Sequence, residues 1–142
     1  MKYVLLVSHG TMAQGVKSVL EMLAGGGRED ILATSLRNGM GADAFAGQVA
    51  ECIRNITRED EILLFADLIG GSPLTTAANV IAQAGLMDRT TMVGGMNFPL
   101  VLSAVLQKDF IDSAGLVAAV LPEAREAIQE FRIQTQDMED DI

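Results

Sequence analysis

The chain has 142 residues, 49% of them hydrophobic, with 19 acidic against 10 basic side chains and a net charge of −9 at pH 7. That length suits one domain with a substantial core, and the acidic balance excludes the basic face that nucleic-acid binding requires. A single cysteine, Cys52, excludes an internal disulfide and a zinc cluster; the apolar runs lack the length of a membrane span and the pattern of a signal peptide, so a cytoplasmic protein is expected.

In chain order, KYVLLVS reads as a buried strand and TMAQGVKSVLEMLAG as a helix that ends at the glycines 25–27. DILATSL is a second strand, followed by a glycine loop at 39–41 and the helix ADAFAGQVAECIRNI, in which Cys52 is a core thiol. EILLFAD is a third strand, closed by LIGGSP and the helix LTTAANVIAQAG. TTMVGG is a fourth, leading through MNFP into LVLSAVLQK. This α/β alternation predicts a doubly wound, mostly parallel sheet with helices on both faces. Strands that are apolar throughout fit burial on both sides. After Asp109, FIDSAGLVAAVLPEAREAIQEF is helical again, with Pro122 either kinking it or starting a new helix. RIQTQDMEDDI then supplies a short edge strand and an acidic tail.

In an open sheet of this kind ligands bind at the carboxyl ends of the strands, so the residues just after each strand are the candidates. His9, Gly10 and Thr11 follow the first strand; His9 is the only histidine of the chain. Asp67, Gly70, Gly71 and Ser72 follow the third, and Asn97, Phe98 and Pro99 the fourth. If strands one and three are neighbours, His9 and Asp67 come out side by side. A carboxylate accepting from Nδ1–H fixes the tautomer and leaves the Nε2 lone pair free to attack, which makes His9 a nucleophile. Ser72 and Pro73 read as the N-cap and first residue of a helix. Gly70 and Gly71 let backbone amides approach a ligand closely. With the helix after Gly10 opening toward the same place, two helix N-termini face one imidazole, an arrangement suited to phosphate. The same residues also allow a structural histidine or a non-catalytic sensor of a small anion.

Two other motifs come close. GTMAQGVKS nearly spells the nucleotide-binding G-x-x-x-x-G-K-[ST] loop, but Val16 intrudes before Lys17, and one extra helical residue turns a side chain by about 100°. SHG resembles the RHG of histidine phosphatases, yet Ser8 stands where their arginine does, and no second histidine is present to deliver water. A lone imidazole suffices where a phosphoryl group only arrives and departs.

Together VLLVSHGTMAQGV, LLFADLIGGSPLTTAA and VGGMNFPLVL resemble the enzyme IIA components of the mannose/fructose/sorbose type in the sugar phosphotransferase system. The resemblance covers residues 1–131 and leaves 132–142 as an acidic extension. It implies strand order 2-1-3-4, with a C-terminal antiparallel strand exchanged between the subunits of a homodimer. An apolar excess (mean hydropathy +0.30) also fits a dimer. By the same resemblance His9 is phosphorylated at Nε2, Asp67 orients it, and Ser72 lies near the phosphoryl group; Gly10, Thr11, Gly70 and Gly71, read from their places at the strand and helix ends, are expected to complete the phosphate cradle. No metal or cofactor is implied. The implied partners are the phosphocarrier HPr as donor and a IIB component as acceptor, with indirect association to membrane IIC and IID subunits during sugar uptake. A related phosphocarrier serving dihydroxyacetone kinase shares the fold but carries a different loop where this chain has GGSP.

Overall fold

The computed structural model describes residues 1–134. Strand β1 (Lys2–His9) leads into helix α1 (Met12–Ala24), and the pattern repeats as β2 (Ile31–Leu36), α2 (Ala42–Ile53), β3 (Glu61–Ala66), α3 (Ser72–Gln83), β4 (Thr90–Val93) and α4 (Phe98–Gln107), before α5 (Ser113–Glu126) closes the fold. The four strands lie in the order β2-β1-β3-β4, all parallel, as the family resemblance implies.

Burial explains why β1 and β3 are apolar at every position. Val4, Leu6, Leu63 and Phe65 pack under α1, α4 and α5, whereas Leu5, Val7, Leu64 and Ala66 pack under α2 and α3. Side chains of a strand alternate between faces, so a central strand covered on both sides has no polar face. Each of Val4, Leu5, Leu6 and Val7 is wholly buried and contributes about 1.5–3 kcal/mol.

Caps settle the helices of the second half. The Asn97 side chain accepts from Leu100 N–H at 3.0 Å and donates to the Ala124 carbonyl at 2.8 Å, tying the start of α4 to the end of α5. Asp112 caps α5 by accepting from Gly115 N–H at 2.7 Å. Pro122 lies inside α5, which runs through it as one helix and does not restart. The expected edge strand is absent from residues 128–134, which form neither helix nor strand. A strand exchanged with a second copy has no partner within one chain, and the remainder of that segment lies outside the described residues.

At the amino end of the sheet, Lys108 is 1% exposed and its Nζ lies 2.8 Å from Asp30 and 3.1 Å from Asp109. Arg28 grips the same Asp30 carboxylate with two hydrogen bonds of 3.0 and 2.8 Å. The Arg28 bond, against the cost of burial and with help from Lys108, holds the Asp30 carboxyl well below the usual range. This cluster pins the rim opposite the candidate site.

Candidate functional site

Strand alternation delivers His9. Val4, Leu6 and Ser8 point to the α1 side, whereas Leu5, Val7 and His9 share the α2/α3 side. β1 extends one residue further than the apolar run, so His9 is its last residue and emerges at the carboxyl edge, with its side chain 46% exposed.

Register does the same for Asp67. Val7 pairs with Ala66, so the residue after β3 lies beside the end of β1, although 58 positions separate the two in sequence. One oxygen of Asp67, Oδ2, accepts both the backbone N–H of His9 at 3.0 Å and its Nδ1 at 2.9 Å. The other oxygen accepts from Leu68 N–H at 3.0 Å. Burial opposes the charge on Asp67, but the His9 backbone and ring bonds and the Leu68 bond outweigh it and lower its pKa. An ionised carboxylate only accepts, so Nδ1 carries a proton, and in the neutral imidazole Nε2 then keeps its lone pair. Among the described residues Nε2 makes no hydrogen bond.

The start of α3 lies against the same ring. Gly71 is so close to the imidazole that a Cβ there would stand 2.9 Å from His9 Cε1, the carbon between the two nitrogens. The residue is extended, with φ −88°, and its carbonyl accepts the first helical bond, from Thr75 N–H. Gly71 is therefore the N-cap, which corrects the reading of Ser72 in that role. Ser72 is the first helical residue and Pro73 the second, a shift of one place that frees the Ser72 hydroxyl from capping. The N–H groups of Ser72 and Leu74, in the first turn, have no intrahelical acceptor.

Gly10 and Thr11 turn out differently from one another. Gly10 has φ +61°, which favours glycine, and its N–H donates to the Leu36 carbonyl at 2.9 Å. Its amide is thus committed to the β1–β2 rim and not offered to a ligand. Thr11 is the exposed N-cap of α1 and its side chain makes no capping bond. Capping falls instead to Ser8, whose buried Oγ accepts from Ala13 N–H at 2.8 Å and bonds Ser35 Oγ at 3.1 Å. Ser35 in turn hydrogen-bonds Gln14. The sequence reading missed this network, because its only local signal is a pair of polar residues in apolar strands.

Around the imidazole the surface is open. On the β2 side a depression of about 360 Å³ is bordered by His9, Leu36, Arg37, Asn38 and Met40. Toward α1 and α4 lies a broader apolar hollow of about 730 Å³ that includes Met12, Val16, Val19 and Phe98. Met12, Leu68 and Ile69 are all exposed, Ile69 at 79%. The near-miss nucleotide loop has no loop to offer, because Met12 to Gly15 already belong to α1. Asn97 and Pro99 serve the start of α4, not the imidazole. Cys52 is partly buried, and burial pushes its thiol up, away from nucleophilic character. Among the described residues no cluster of side chains is suited to a metal, and no helix is long and apolar enough to cross a membrane.

The chain is similar to known proteins over most of its length. The family described as PTS system fructose IIA component matches residues 3–121. The PTS system fructose-specific EIIA component of Bacillus subtilis (strain 168) is 26% identical over 108 residues, spanning 76% of this chain and 71% of that protein. The crystal structure of phosphotransferase system component EIIA from Streptococcus agalactiae superposes with a TM-score of 0.78 at 25% identity, covering 92% of this chain and 98% of its own. A mannose/sorbose specific IIA subunit from Enterococcus faecalis shares the fold with a TM-score of 0.78 at 21% identity, covering 94% and 98%.

Proposed function

We propose, from the premise that this chain belongs to the fructose IIA component family of the phosphotransferase system, that it carries a phosphoryl group on His9 Nε2. The observation that supports this reading best is the double grip of Asp67 Oδ2 on the His9 backbone and ring, with Nε2 left free beside the start of α3. In the forward step the Nε2 lone pair attacks the phosphorus of a phosphohistidine on HPr. The N–P bond of the donor breaks, and its electron pair returns to the donor ring. No proton has to leave His9. The positive charge that develops on its ring is met by Asp67 through the Nδ1–H bond. The second step repeats the displacement with a nucleophile of a IIB component attacking phosphorus and His9 as the leaving group.

The phosphoryl oxygens need donors that are fixed before the reaction. The amides of Gly71 and Ser72, the Ser72 hydroxyl and the first turn of α1 at Thr11 fill that role, and the positive ends of the two helix dipoles add to it. Gly70 gives the loop its freedom, and Gly10 shapes the β1 exit without donating. Exposure suits this chemistry, because the reacting partner is another protein that covers the site and excludes water. Met12, Leu68 and Ile69 form the apolar rim on which such a partner closes. In keeping with the family resemblance, the working unit is a cytoplasmic homodimer with an exchanged C-terminal strand, serving membrane IIC and IID subunits. Residues 1–131 form its functional domain and 132–142 an acidic extension.

Incubation with phosphoenolpyruvate, enzyme I and HPr tests the reading. The expected product is one acid-labile, base-stable phosphate on His9, absent from His9→Gln. A chain that binds phosphate at this edge without forming the covalent adduct is a sensor, and the carrier reading then fails.

A further inference from the structure

Gly94 follows β4 directly and faces the loop that joins β3 to α3. A Cβ on Gly94 would lie 2.6 Å from Ile69 Cα, 2.9 Å from its Cβ and 3.0 Å from its Cγ1. The nearest of these atoms is backbone, so no rotamer of Ile69 relieves the clash. Among the described residues no other glycine approaches a backbone atom in this way. Conformation does not explain the glycine either, because the positive φ of this turn, +77°, belongs to Gly95. Position 94 is glycine for want of space.

We propose that Gly94 is a positioning residue for the His9–Asp67 pair: its missing side chain lets the β3–α3 loop settle on the end of β4, and that seat sets the imidazole's two neighbours. Ile69 is the midpoint of a five-residue connection. Two residues before it Asp67 binds His9 twice, and two residues after it Gly71 abuts the imidazole. The β4 exit is itself anchored to β3, since Met96 N–H donates to the Ala66 carbonyl at 2.9 Å. Loop and seat are thus tied together at the residue before Asp67, which leaves little slack to absorb an added methyl. Restoring ordinary contact, which begins at 3.4 Å, would lift Ile69 by about 0.8 Å. A displacement of that size, shared between Asp67 and Gly71, is enough to spoil the Nδ1–H bond or to crowd Nε2. The same seat holds Ile69 proud of the surface at 79% exposure, so the apolar rim and the reactive nitrogen are set by one contact. For its effect on phosphoryl transfer this inference rests on the carrier reading; for its effect on the imidazole it does not.

The test is Gly94→Ala, read by the imidazole nitrogen NMR spectrum of His9, which is unambiguous because the chain has one histidine, and by the rate of phosphorylation from phospho-HPr. A folded Gly94→Ala protein is expected to lose the Nδ1–H tautomer preference of the parent and to be phosphorylated about a hundredfold more slowly, the cost typical of an ångström-scale misplacement, with kcat falling more than KM changes. The control Gly47→Ala, where a Cβ on α2 meets nothing within 4 Å, should leave both readouts unchanged. A folded Gly94→Ala protein with the parental imidazole spectrum overturns the proposal. If Gly94→Ala does not fold, Ile69→Ala decides the matter: it keeps the backbone seat and removes Cγ1, so the parental spectrum is expected. An altered tautomer in Ile69→Ala shows that the side chain holds the loop and overturns the proposal as well. Should the parent protein take up no phosphate, the carrier reading fails, while the imidazole spectrum still decides the role of Gly94.

Discussion

Replacing Asp67 by asparagine preserves the size of the side chain and removes the charge beside His9. In the structure Oδ2 receives the His9 N–H at 3.0 Å and Nδ1 at 2.9 Å, and Oδ1 receives the Leu68 N–H at 3.0 Å. An amide has one oxygen for these three donors, and its NH2 group must face at least one of them. If the oxygen stays with Leu68, the NH2 confronts His9, and the ring answers by moving its proton to Nε2, which removes the attacking lone pair. If the oxygen stays with His9, the tautomer survives but the developing positive charge loses its counter-charge. A hydrogen bond to a charged group contributes roughly 1.5–3 kcal/mol. The His9 side chain is 46% exposed, so solvent screening favours the lower end, about 1.5 kcal/mol, or about tenfold in rate. Steady phosphorylation by phosphoenolpyruvate, enzyme I and HPr, followed by retention of labelled phosphate after alkaline quench, measures it. Asp67→Asn should fold as the parent does, because the carboxylate contributes nothing to either core layer. Transfer at the parental rate by Asp67→Asn with the Nδ1–H tautomer retained would refute the charge argument, and the parental rate with the proton moved to Nε2 would refute the orienting role.

Gly71→Ala is expected to slow phosphorylation while leaving the thermal midpoint close to the parent's, because φ −88° suits any residue and only the 2.9 Å contact with the imidazole is at stake; a full rate in a properly folded variant contradicts that. Asp30→Asn strips Lys108 of its nearer carboxylate in a buried place and should lower stability by about 3 kcal/mol, the low end for breaking a buried pair because Asp109 still faces it, as read from the urea midpoint at neutral pH. The folded Asp30 titrates below its ordinary value, so its stabilising effect is complete above the unfolded pKa of about 3.9 and fades as pH falls. The gap between parent and Asp30→Asn should therefore be constant from pH 5 to 7 and shrink below about pH 4; a gap that widens in acid reverses the sign of the argument.

What the sequence made legible follows a physical line between local and non-local information. The unbroken apolar runs at Val4 to Val7 and Ile62 to Ala66 announce central strands covered on both faces, because a half-exposed strand must alternate. The adjacency of His9 and Asp67 was conditional on strands one and three being neighbours, and no periodicity sets strand order; that came with the family resemblance and matches the sheet observed. Ser followed by Pro is a good cap signal, so the sequence alone puts the N-cap at Ser72, one residue after Gly71, where the structure has it. Only the extended φ and ψ of Gly71 distinguish them.

The features that escaped the sequence are those made by two segments touching. Ser8 caps α1 by a local bond, but its hydroxyl joins a buried network only because β1 runs beside β2 and brings Ser35 to it, and Ser35 in turn reaches Gln14 on α1. Gly94 acquires a meaning only when Ile69, twenty-five positions earlier, is laid across it. In the string VGGMNFP the two glycines look equivalent, yet one serves conformation and the other serves space. The same distinction separates Gly10 from Gly71 at the imidazole: the first turns the chain and commits its amide to Leu36, the second yields room to the ring. On the carrier reading a lone histidine suffices at this edge: Asp67 accepts from its Nδ1, Gly71 leaves room beside Cε1, and the second reactive group of each transfer comes from the protein that docks.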